Sequence, residues 1–324
     1  MITPIFIFSL PRSGSTFLQR MIAAHPAVST VSEPWLLLPL ILSFRDDYVY
    51  SSIQQKFIVQ AFNDFVQNIP EGKESYYNAV RDFAIQLYAK AADPNSIFFI
   101  DKTPRYHLIA EEIINIFPNS PIILLWRNPL SIVSSCIDTW GNGRWNIHRY
   151  RIDLFHGLAN LIKFYKNYKN RIFSIRYEDL VDSPDEHLKS IFKFIGLSSD
   201  EVDCEDYKKI MLSGKLGDKN TDLNKDFSDP INLDKWQNTL SSPLRRIWSK
   251  RYLNWLGKEN LSEIGYDYDN ILSELKTSNI SFKKIFSDST AMMYGNLSVF
   301  FEFKLFSKKR KLARHGVRID LMNE

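Results

Sequence analysis

The sequence predicts an α/β fold, a three-layer sandwich in which a central parallel sheet lies between two layers of helices. Helical stretches separate four short apolar runs that are typical of buried strands, which are Ile5–Leu10, Ile97–Ile100, Ile122–Trp126 and Ile172–Arg176. Strands that alternate with helices favour parallel pairing with helices on both faces. A loop of small residues after the first run, followed by a helix start, indicates the same class.

The composition predicts a protein with a sizeable core. The chain has 324 residues, of which 44% are hydrophobic and 24% charged, so it can form one large α/β domain or two small ones. This balance excludes global disorder. The formal net charge is only +4, which is too small to indicate binding to nucleic acid.

Several features predict a cytoplasmic protein. The two cysteines, Cys136 and Cys204, form neither a metal-binding pattern nor a disulfide framework, and we expect buried free thiols in a reducing compartment. The N-terminus has no basic segment followed by a long apolar run, so no signal peptide is predicted. The longest apolar runs are too short to span a bilayer. The content of Lys, Ile and Asn hints at an AT-rich bacterial genome.

The remaining secondary structure is predicted to be mainly helical. Apolar spacing over residues 46–90 indicates helices. A further helix opens at residues 183–186 with an N-cap, a proline and two acids, and we expect it to end at Gly196. Leu244–Leu256 is a last amphipathic helix, and the polar segment from Lys215 to Asp234 is predicted to be a loop.

The composition changes after about Asp269, which predicts a main domain over residues 1–269 and a basic C-terminal extension over 270–324, helical or partly irregular. Near its end an aromatic cluster precedes basic residues; these are Phe300, Phe301, Phe303 and Phe306, then Lys308, Lys309, Arg310, Lys311 and Arg314. Such a tail could contact an anionic membrane surface, at the inner face of the membrane. Alternatively, the phenylalanines pack back on the domain and the charges are solvated.

The loop after the first predicted strand has the features of an anion-binding site. Gly14 lets the backbone approach a ligand closely, and Ser13, Ser15 and Thr16 supply hydroxyl groups beside the positive end of the next helix. Arg12 adds a fixed positive charge. No lysine precedes the Ser–Thr pair, which argues against an ordinary ATP or GTP hydrolase.

A second candidate anion site follows the strand Ile122–Trp126. Arg127 lies just beyond the carboxyl end of this strand, where ligands gather in sheets of this class. Pro129 begins a helix on which Ser131 and Ser135 are four residues apart and share one face. Arg127 and Ser135 could together hold a second anion. Two such sites indicate a nucleotide that is phosphorylated at two places.

In this order along the chain, the motifs resemble those of the sulfotransferases that use 3′-phosphoadenosine 5′-phosphosulfate (PAPS). The resemblance covers roughly residues 4 to 256 and includes a lysine motif, a block like RYEDL and a late tryptophan segment. The matching segments are 11–16, 101–104, 127–129 with Ser135, 176–180 followed by Pro184 and 194–197, and 230–236. Residues 270–324 match no part of this pattern.

The resemblance implies a P-loop nucleotide-hydrolase-like fold and roles for the two candidate sites. The loop from Arg12 to Thr16 is expected to hold the 5′-phosphosulfate, and Arg127 with Ser135 the 3′-phosphate. Arg12 and Lys102 are expected to stabilise the charge that develops on the leaving oxygen.

The resemblance also implies which residue acts as the base. Cytosolic members of the family carry a histidine two residues after the lysine, but this chain has Pro104 there. Golgi-type and many bacterial members use a glutamate just after the first helix, which implies Glu33. His107, His25 and His148 are the alternatives; His25 is expected to close the first helix with Pro26, and His107 is the main rival base.

The predicted function is sulfuryl transfer from PAPS, with PAP as the product, to a hydroxyl of a carbohydrate or glycolipid. One alternative is a P-loop-like kinase, which would need a Walker lysine and a magnesium-binding carboxylate; Asp101 is the only weak candidate for the latter. Another is a non-catalytic PAP-binding scaffold. No metal cofactor is predicted, because the sequence has no metal-ligand cluster.

Overall fold

The computed structural model describes residues 2–45, 55–199, 202, 204–214, 216, 233–301 and 310. Within these residues the chain forms a five-stranded sheet with the order β2-β3-β1-β4-β5, and every neighbouring pair is parallel. The strands are β1 Thr3–Ser9, β2 Val28–Thr30, β3 Phe98–Asp101, β4 Ile122–Trp126 and β5 Ile172–Arg176.

Helices connect and cover the strands. In chain order the α-helices of the described residues are α1 Ser15–Ala23, α2 Leu37–Ile41, α3 Gln55–Gln67, α4 Lys73–Ala91, α5 Ala110–Ile116, α6 Pro129–Gly141, α7 Leu158–Tyr168, α8 Tyr177–Asp182, α9 Pro184–Ile195, α10 Lys235–Thr239, α11 Pro243–Leu256, α12 Lys258–Glu263, α13 Tyr268–Thr277 and α14 Ile285–Phe301. A 3₁₀ segment spans Pro104–Leu108 and a π-helical segment spans Ile152–Gly157.

The alternation of side chains along β1 creates two hydrophobic cores, one on each face of the sheet. Ile5 and Ile7 are fully buried on one face, in a cluster that includes residues of α1 and α9. Phe6 and Phe8 are fully buried on the other face, in a larger cluster that includes residues of α5, α6 and α7. The predicted three-layer arrangement is therefore confirmed.

The predicted strands agree with the observed ones to within a few residues at each end, but β2 has no counterpart in the prediction. This strand has only three residues, and its centre is polar, so it shows no hydrophobic pattern. Ser29 is nevertheless buried because its hydroxyl donates to Asp93 at 3.0 Å and lies 2.8 Å from the hydroxyl of Ser96. Side-chain hydrogen bonds from Ser29 thus add to the packing of the buried Val28 in holding this edge strand.

The predicted helices are largely observed. Helix α9 ends at Gly196, whose φ of +89° is easily adopted only by glycine. Helix α11 begins one residue before the predicted start. Residues 46–54 and most of the predicted loop from Lys215 to Asp234 lie outside the described residues.

The C-terminal helices are connected to the rest of the protein by a buried ion pair. Asp288 of α14 accepts hydrogen bonds from Arg245 of α11 at 2.7 and 2.9 Å, and both side chains are almost completely buried. The guanidinium of Arg245 also donates to the carbonyl of Gly143, just beyond α6. The position at which the composition changes, Asp269, lies inside α13. The basic residues after Phe301 lie outside the described residues, except Arg310.

A fully buried carboxylate ends strand β3. Asp101 accepts hydrogen bonds from the hydroxyls of Tyr88 at 2.6 Å, Tyr106 at 2.7 Å and Thr103 at 3.1 Å. Burial raises the pKa of Asp101 to about 6, and these three hydrogen bonds and the charge of Lys102 only partly offset it. Burial also raises the pKa values of both tyrosine hydroxyls, so that they remain donors.

Two of these hydroxyls also bind the segment between β2 and α2. The backbone N–H of Trp35 donates to Thr103 Oγ1 at 3.2 Å, and that of Leu37 donates to the Tyr106 hydroxyl at 3.3 Å. The segment that contains Glu33 is thus attached to the end of β3.

The first prediction concerns the buried ion pair. Asp288→Ala leaves the guanidinium of Arg245 buried without its carboxylate, and we expect the free energy of unfolding to fall by about 3–5 kcal/mol. Denaturation in urea measures this change. The control is Asp269→Ala, which removes an exposed partner of Lys258 and should leave the midpoint nearly unchanged. Equal losses in the two variants would contradict the prediction.

The second prediction follows from the pKa of Asp101. An acid with a raised pKa in the folded state stabilises the protein while it is protonated, and this contribution is lost as the pH rises through the folded pKa. For a rise from 3.8 to about 6, wild-type protein should lose about 3 kcal/mol relative to Asp101→Asn as the pH increases over that range. Denaturation of both proteins at a series of pH values measures the difference. A difference that does not vary with pH would show that the pKa is not raised.

Candidate functional site

The loop between β1 and α1 has a backbone that only a few residue types tolerate. Gly14 has a φ of +89°, and a Cβ atom there would lie 2.3 Å from the ring of Tyr177. Arg12 also has a positive φ, of +69°. Helix α1 begins directly after Gly14, whose carbonyl accepts from the amides of Phe17 at 3.0 Å and Leu18 at 3.2 Å, so only the amides before Phe17 lack a carbonyl partner at this helix end. The result is a compact turn in front of a positive helix end.

Unsatisfied polar atoms in and beside this loop fit an anionic ligand. Ser13 is 1% exposed, and its hydroxyl has no hydrogen-bond partner among the described residues. The same holds for Nε of Arg127, which is also buried. Buried polar groups are normally hydrogen-bonded, so these atoms are suited to bind oxygens of a phosphorylated nucleotide.

Arg12 connects the two anion sites that the sequence analysis treated separately. Its Nε donates to Ser135 Oγ at 3.1 Å, and its Nη2 donates to Thr139 Oγ1 at 3.1 Å. Its guanidinium also lies 5.6 Å from the centre of the Trp140 ring. The side chain therefore extends from the loop to helix α6. The sequence pattern did not indicate Thr139, whereas Trp140 was expected in the core or the wall of a cleft.

Arg127 lies at the opposite side of the same loop. Its Nη1 donates to the carbonyl of Arg12 at 2.9 Å, and its guanidinium lies 4.6 Å from the centre of the Tyr177 ring. Tyr177 thus packs against both Gly14 and Arg127. Sequence reasoning placed Tyr177 in a motif but gave it no role. The two predicted anion sites form one continuous group.

The residue after Tyr177 fixes the start of α6. Glu178 accepts from the backbone N–H of Asn128 at 2.9 Å and from the hydroxyl of Tyr266 at 2.6 Å. The side chain of Asn128 in turn accepts from Leu130 N, as a helix cap. Arg127 is therefore held between a strand end and a capped helix.

Glu33 and Lys102 form an ion pair near the loop. Lys102 is 1% exposed, and its ammonium donates to Glu33 Oε1 at 2.9 Å and to Thr16 Oγ1 at 3.4 Å. The indole N–H of Trp35 donates to the other oxygen of Glu33 at 3.1 Å. These contacts bring three predicted site residues together, although 69 residues separate Glu33 from Lys102. Both partners of Glu33 are donors, so its carboxylate is held as an acceptor.

His107, the rival base, lies in another buried group. It is 2% exposed, its Nε2 lies 3.2 Å from Asp153, and a Cβ at Gly157 would lie 2.9 Å from its ring. Burial raises the pKa of Asp153, but hydrogen bonds and charge from His107 and Arg105 outweigh this effect and lower it below its usual value. The π-helical segment that contains Asp153 encloses the ring of His107 on this side.

The described residues contain no group of three or more His, Cys, Asp or Glu side chains that could hold a metal ion. Among the described helices, none is both long enough and apolar enough to cross a membrane. Cys136 is a buried free thiol, as predicted, and burial raises its pKa to about 12. The side chain of Cys204 lies outside the described residues.

The chain is similar in sequence to known proteins. The chain is 26% identical over 287 residues to the nodulation protein NoeE of Sinorhizobium fredii. The aligned residues cover 81% of this chain and 65% of that protein. It is also 26% identical over 204 residues to a protein-tyrosine sulfotransferase of Drosophila melanogaster. This alignment covers 59% of this chain and 37% of that protein. The chain thus spans less than two thirds of the length of either relative.

The structure of a mouse sulfotransferase in complex with PAP is also similar. The match covers 85% of this chain and 89% of the mouse chain, with 16% sequence identity and a TM-score of 0.45. The profile of the sulfotransferase family matches residues 4–201, which is more than half of the 324 residues. This segment contains the loop after β1, the pair Glu33–Lys102 and the residues around Arg127. The resemblance inferred from the motifs is confirmed, and the chain belongs to the sulfotransferase family.

Proposed function

We propose that the protein transfers a sulfuryl group from PAPS to a hydroxyl of an acceptor molecule. The observation that carries this proposal is the contact between Glu33 and Lys102, at 2.9 Å, directly beside the anion-binding loop. It joins a proton acceptor, a cation and a phosphate-binding turn. PAPS, when bound, supplies the sulfuryl group and leaves as PAP.

The residues for holding PAPS divide into two groups. Ser13, Gly14, Ser15 and Thr16 are suited to the 5′-phosphosulfate, since they lie at the start of α1. Arg127 and Ser135 are suited to the 3′-phosphate. Arg12 touches Ser135, so we assign it to the boundary between the two groups, where it can serve both.

We assign Glu33 as the base. In an in-line displacement the acceptor hydroxyl loses its proton to a carboxylate oxygen of Glu33 while its oxygen bonds to sulfur and the bond from sulfur to the phosphate oxygen breaks. Lys102 and Arg12 stabilise the negative charge on the departing oxygen. The burial of His107 beside Asp153 argues against its acting as the base, because an acceptor hydroxyl would have to reach a buried ring.

A P-loop-like kinase is the alternative enzyme. Its magnesium would need a carboxylate at a second strand end, and Asp101 is fully buried and binds three hydroxyls. A non-catalytic PAP-binding scaffold is the other alternative. Because Asp101 is buried and already binds three hydroxyls, we propose that no metal is required.

The test is to incubate the full chain with radiolabelled PAPS and a panel of glycans, glycolipids, tyrosine-containing peptides and simple alcohols, with and without EDTA. The proposal predicts label transfer in EDTA. Activity that is lost in EDTA and restored by magnesium would favour the kinase, and binding of PAP without transfer would favour the scaffold.

For the acceptor we propose a carbohydrate or glycolipid hydroxyl, in a cytoplasmic bacterial protein. The relatives named protein-tyrosine sulfotransferases support a tyrosine hydroxyl instead, but the Drosophila protein matches only 59% of this chain. The region from Trp35 to Glu74 and the loop from Lys215 to Asp234 are our candidates for the acceptor side. Transfer of label to peptides but not to glycans would overturn the carbohydrate assignment.

We also propose that the domain of residues 1–269 supplies the residues of this activity, and that the extension of residues 270–324 packs on it through Asp288 and contacts an anionic membrane surface. Helix α14 supports the contact, because several large apolar side chains on its outward face are exposed. Phe286 is 81% and Met293 62% exposed, and Leu297 and Phe301 continue the same face at helical spacing. Asp288, the only charged residue of this helix, pairs inward with Arg245. The sequence then continues into the basic run of residues 308–311.

A third prediction tests the 3′-phosphate site. Arg127→Ala should weaken binding of PAP by about tenfold or more, because it removes a charge-assisted contact to a phosphate. Binding of adenosine 5′-phosphosulfate, which lacks the 3′-phosphate, should change much less. Calorimetry with both ligands measures the difference. Equal losses would assign Arg127 to another part of the nucleotide.

A fourth prediction tests the base. Glu33→Gln should reduce turnover by about 100-fold or more, because the amide cannot accept the proton. The affinity for PAP should stay nearly unchanged. Single-turnover kinetics with radiolabelled PAPS measures the first quantity and calorimetry the second. High activity in Glu33→Gln, together with an inactive but folded His107→Ala, would move the base to His107.

A fifth prediction tests the membrane contact with vesicles of anionic lipid at low salt. The full chain should sediment with them, whereas a chain that ends at Phe301 and the double variant Phe286→Ser/Leu297→Ser should each sediment less. Neutral vesicles are the control. If the full chain stays in the supernatant, or if it forms a dimer that the double variant abolishes, the apolar face does not contact a membrane.

A further inference from the structure

The segment that carries Glu33 is held by two short chains of hydrogen bonds. The backbone N–H of Trp35 donates to Thr103, which donates to Asp101; the distances are 3.2 and 3.1 Å. The backbone N–H of Leu37 donates to the hydroxyl of Tyr106, which also donates to Asp101; the distances are 3.3 and 2.7 Å. Both chains end on the two oxygens of one carboxylate.

The direction of these bonds gives Asp101 a specific role. A hydroxyl has one hydrogen, and here Asp101 accepts the hydrogens of Thr103 and Tyr106. The oxygens of these hydroxyls therefore turn their lone pairs toward the amides of Trp35 and Leu37. Without an acceptor at position 101 the hydroxyls lose the partner that fixes their orientation.

The segment needs such external contacts. Trp35 has a φ of +53°, a conformation that is costly for a bulky residue. Its indole is also the second donor to Glu33, at 3.1 Å. Since Asp101 directly precedes Lys102, the same carboxylate that anchors the segment of Glu33 also fixes the strand end from which Lys102 extends.

We propose that Asp101 is a positioning residue that acts through Thr103 and Tyr106 to hold Glu33 against Lys102. Asp101 itself is fully buried and does not contact the reacting groups. The catalytic part of this inference rests on the proposed sulfotransferase function, whereas the anchoring of the segment does not.

The chain offers two matched pairs of variants. Tyr88→Phe and Tyr106→Phe each remove one tyrosine hydroxyl from the same oxygen of Asp101, but only Tyr106 also accepts from Leu37. Thr103→Val removes the hydroxyl that accepts from Trp35, and Thr103→Ser retains it. Tyr88→Phe and Thr103→Ser are thus the controls for changes in burial and packing.

The experiment measures hydrogen exchange of a peptide that contains Trp35 and Leu37, the affinity for PAP, and turnover of radiolabelled PAPS with the acceptor panel. In Tyr106→Phe and Thr103→Val, exchange of this peptide should rise by about tenfold and kcat should fall by about tenfold or more. The KM for PAPS and the affinity for PAP should stay within about twofold of wild type. Tyr88→Phe and Thr103→Ser should resemble wild type in all four quantities.

Two outcomes would overturn the inference. Equal exchange and equal kcat in Tyr88→Phe and Tyr106→Phe would mean that the buried cluster is only structural. Loss of PAP affinity in parallel with kcat would mean that the cluster shapes the nucleotide site instead. If exchange follows the expected pattern but the wild-type chain transfers no label to any acceptor, the anchoring is supported and the proposed function fails.

Discussion

The ammonium of Lys102 is almost completely removed from solvent, and the arrangement of the site follows from the need to compensate this charge. A buried cation is costly unless an anion and further acceptors are placed around it. Glu33 supplies the anion, Thr16 an acceptor, and the fully buried Asp101 a second negative charge next along the chain. These groups come from the first helix, the segment after β2 and the end of β3, so the charge fixes three chain segments relative to each other.

On the other side of the loop, Tyr177 also makes more than one contact that shapes the site. Tyr177 lies against Gly14 and under the guanidinium of Arg127, while Arg127 binds the carbonyl of Arg12. A single aromatic ring therefore limits the size of residue 14 and orients a cation. Arg12 then reaches Ser135 and Thr139 on α6. The two candidate phosphate sites are therefore adjacent and share Arg12.

Sequence reasoning could predict the layers of the fold because strands such as β1 and β4 are apolar throughout and are bounded by turn residues. It missed β2, whose polar residues are held by side-chain hydrogen bonds to Asp93 and Ser96 that leave no periodic signal. The loop residues from Arg12 to Thr16 could be selected because a buried strand, a loop of small residues and a helix start in this order are typical of an anion site, and because the other motifs follow in the expected order. The site roles of these residues, and of Glu33, Lys102, Arg127 and Ser135, stay predictions. Trp35 and Tyr177 could not be assigned from sequence, since an aromatic residue in a motif is equally typical of a core.

The ion pair between Arg245 and Asp288 limits how the chain can be shortened. Composition alone places a domain boundary near Asp269, and an expression strategy based on it would cut inside α13 and remove α14. Such a cut would remove Leu275 and Ala291, expose the core residues that they cover, and leave the Arg245 guanidinium with only the carbonyl groups of Thr239 and Gly143 as hydrogen-bond acceptors. Protein engineering on this scaffold should therefore treat residues up to Phe301 as part of the folding unit, and reserve deletions for the residues that follow.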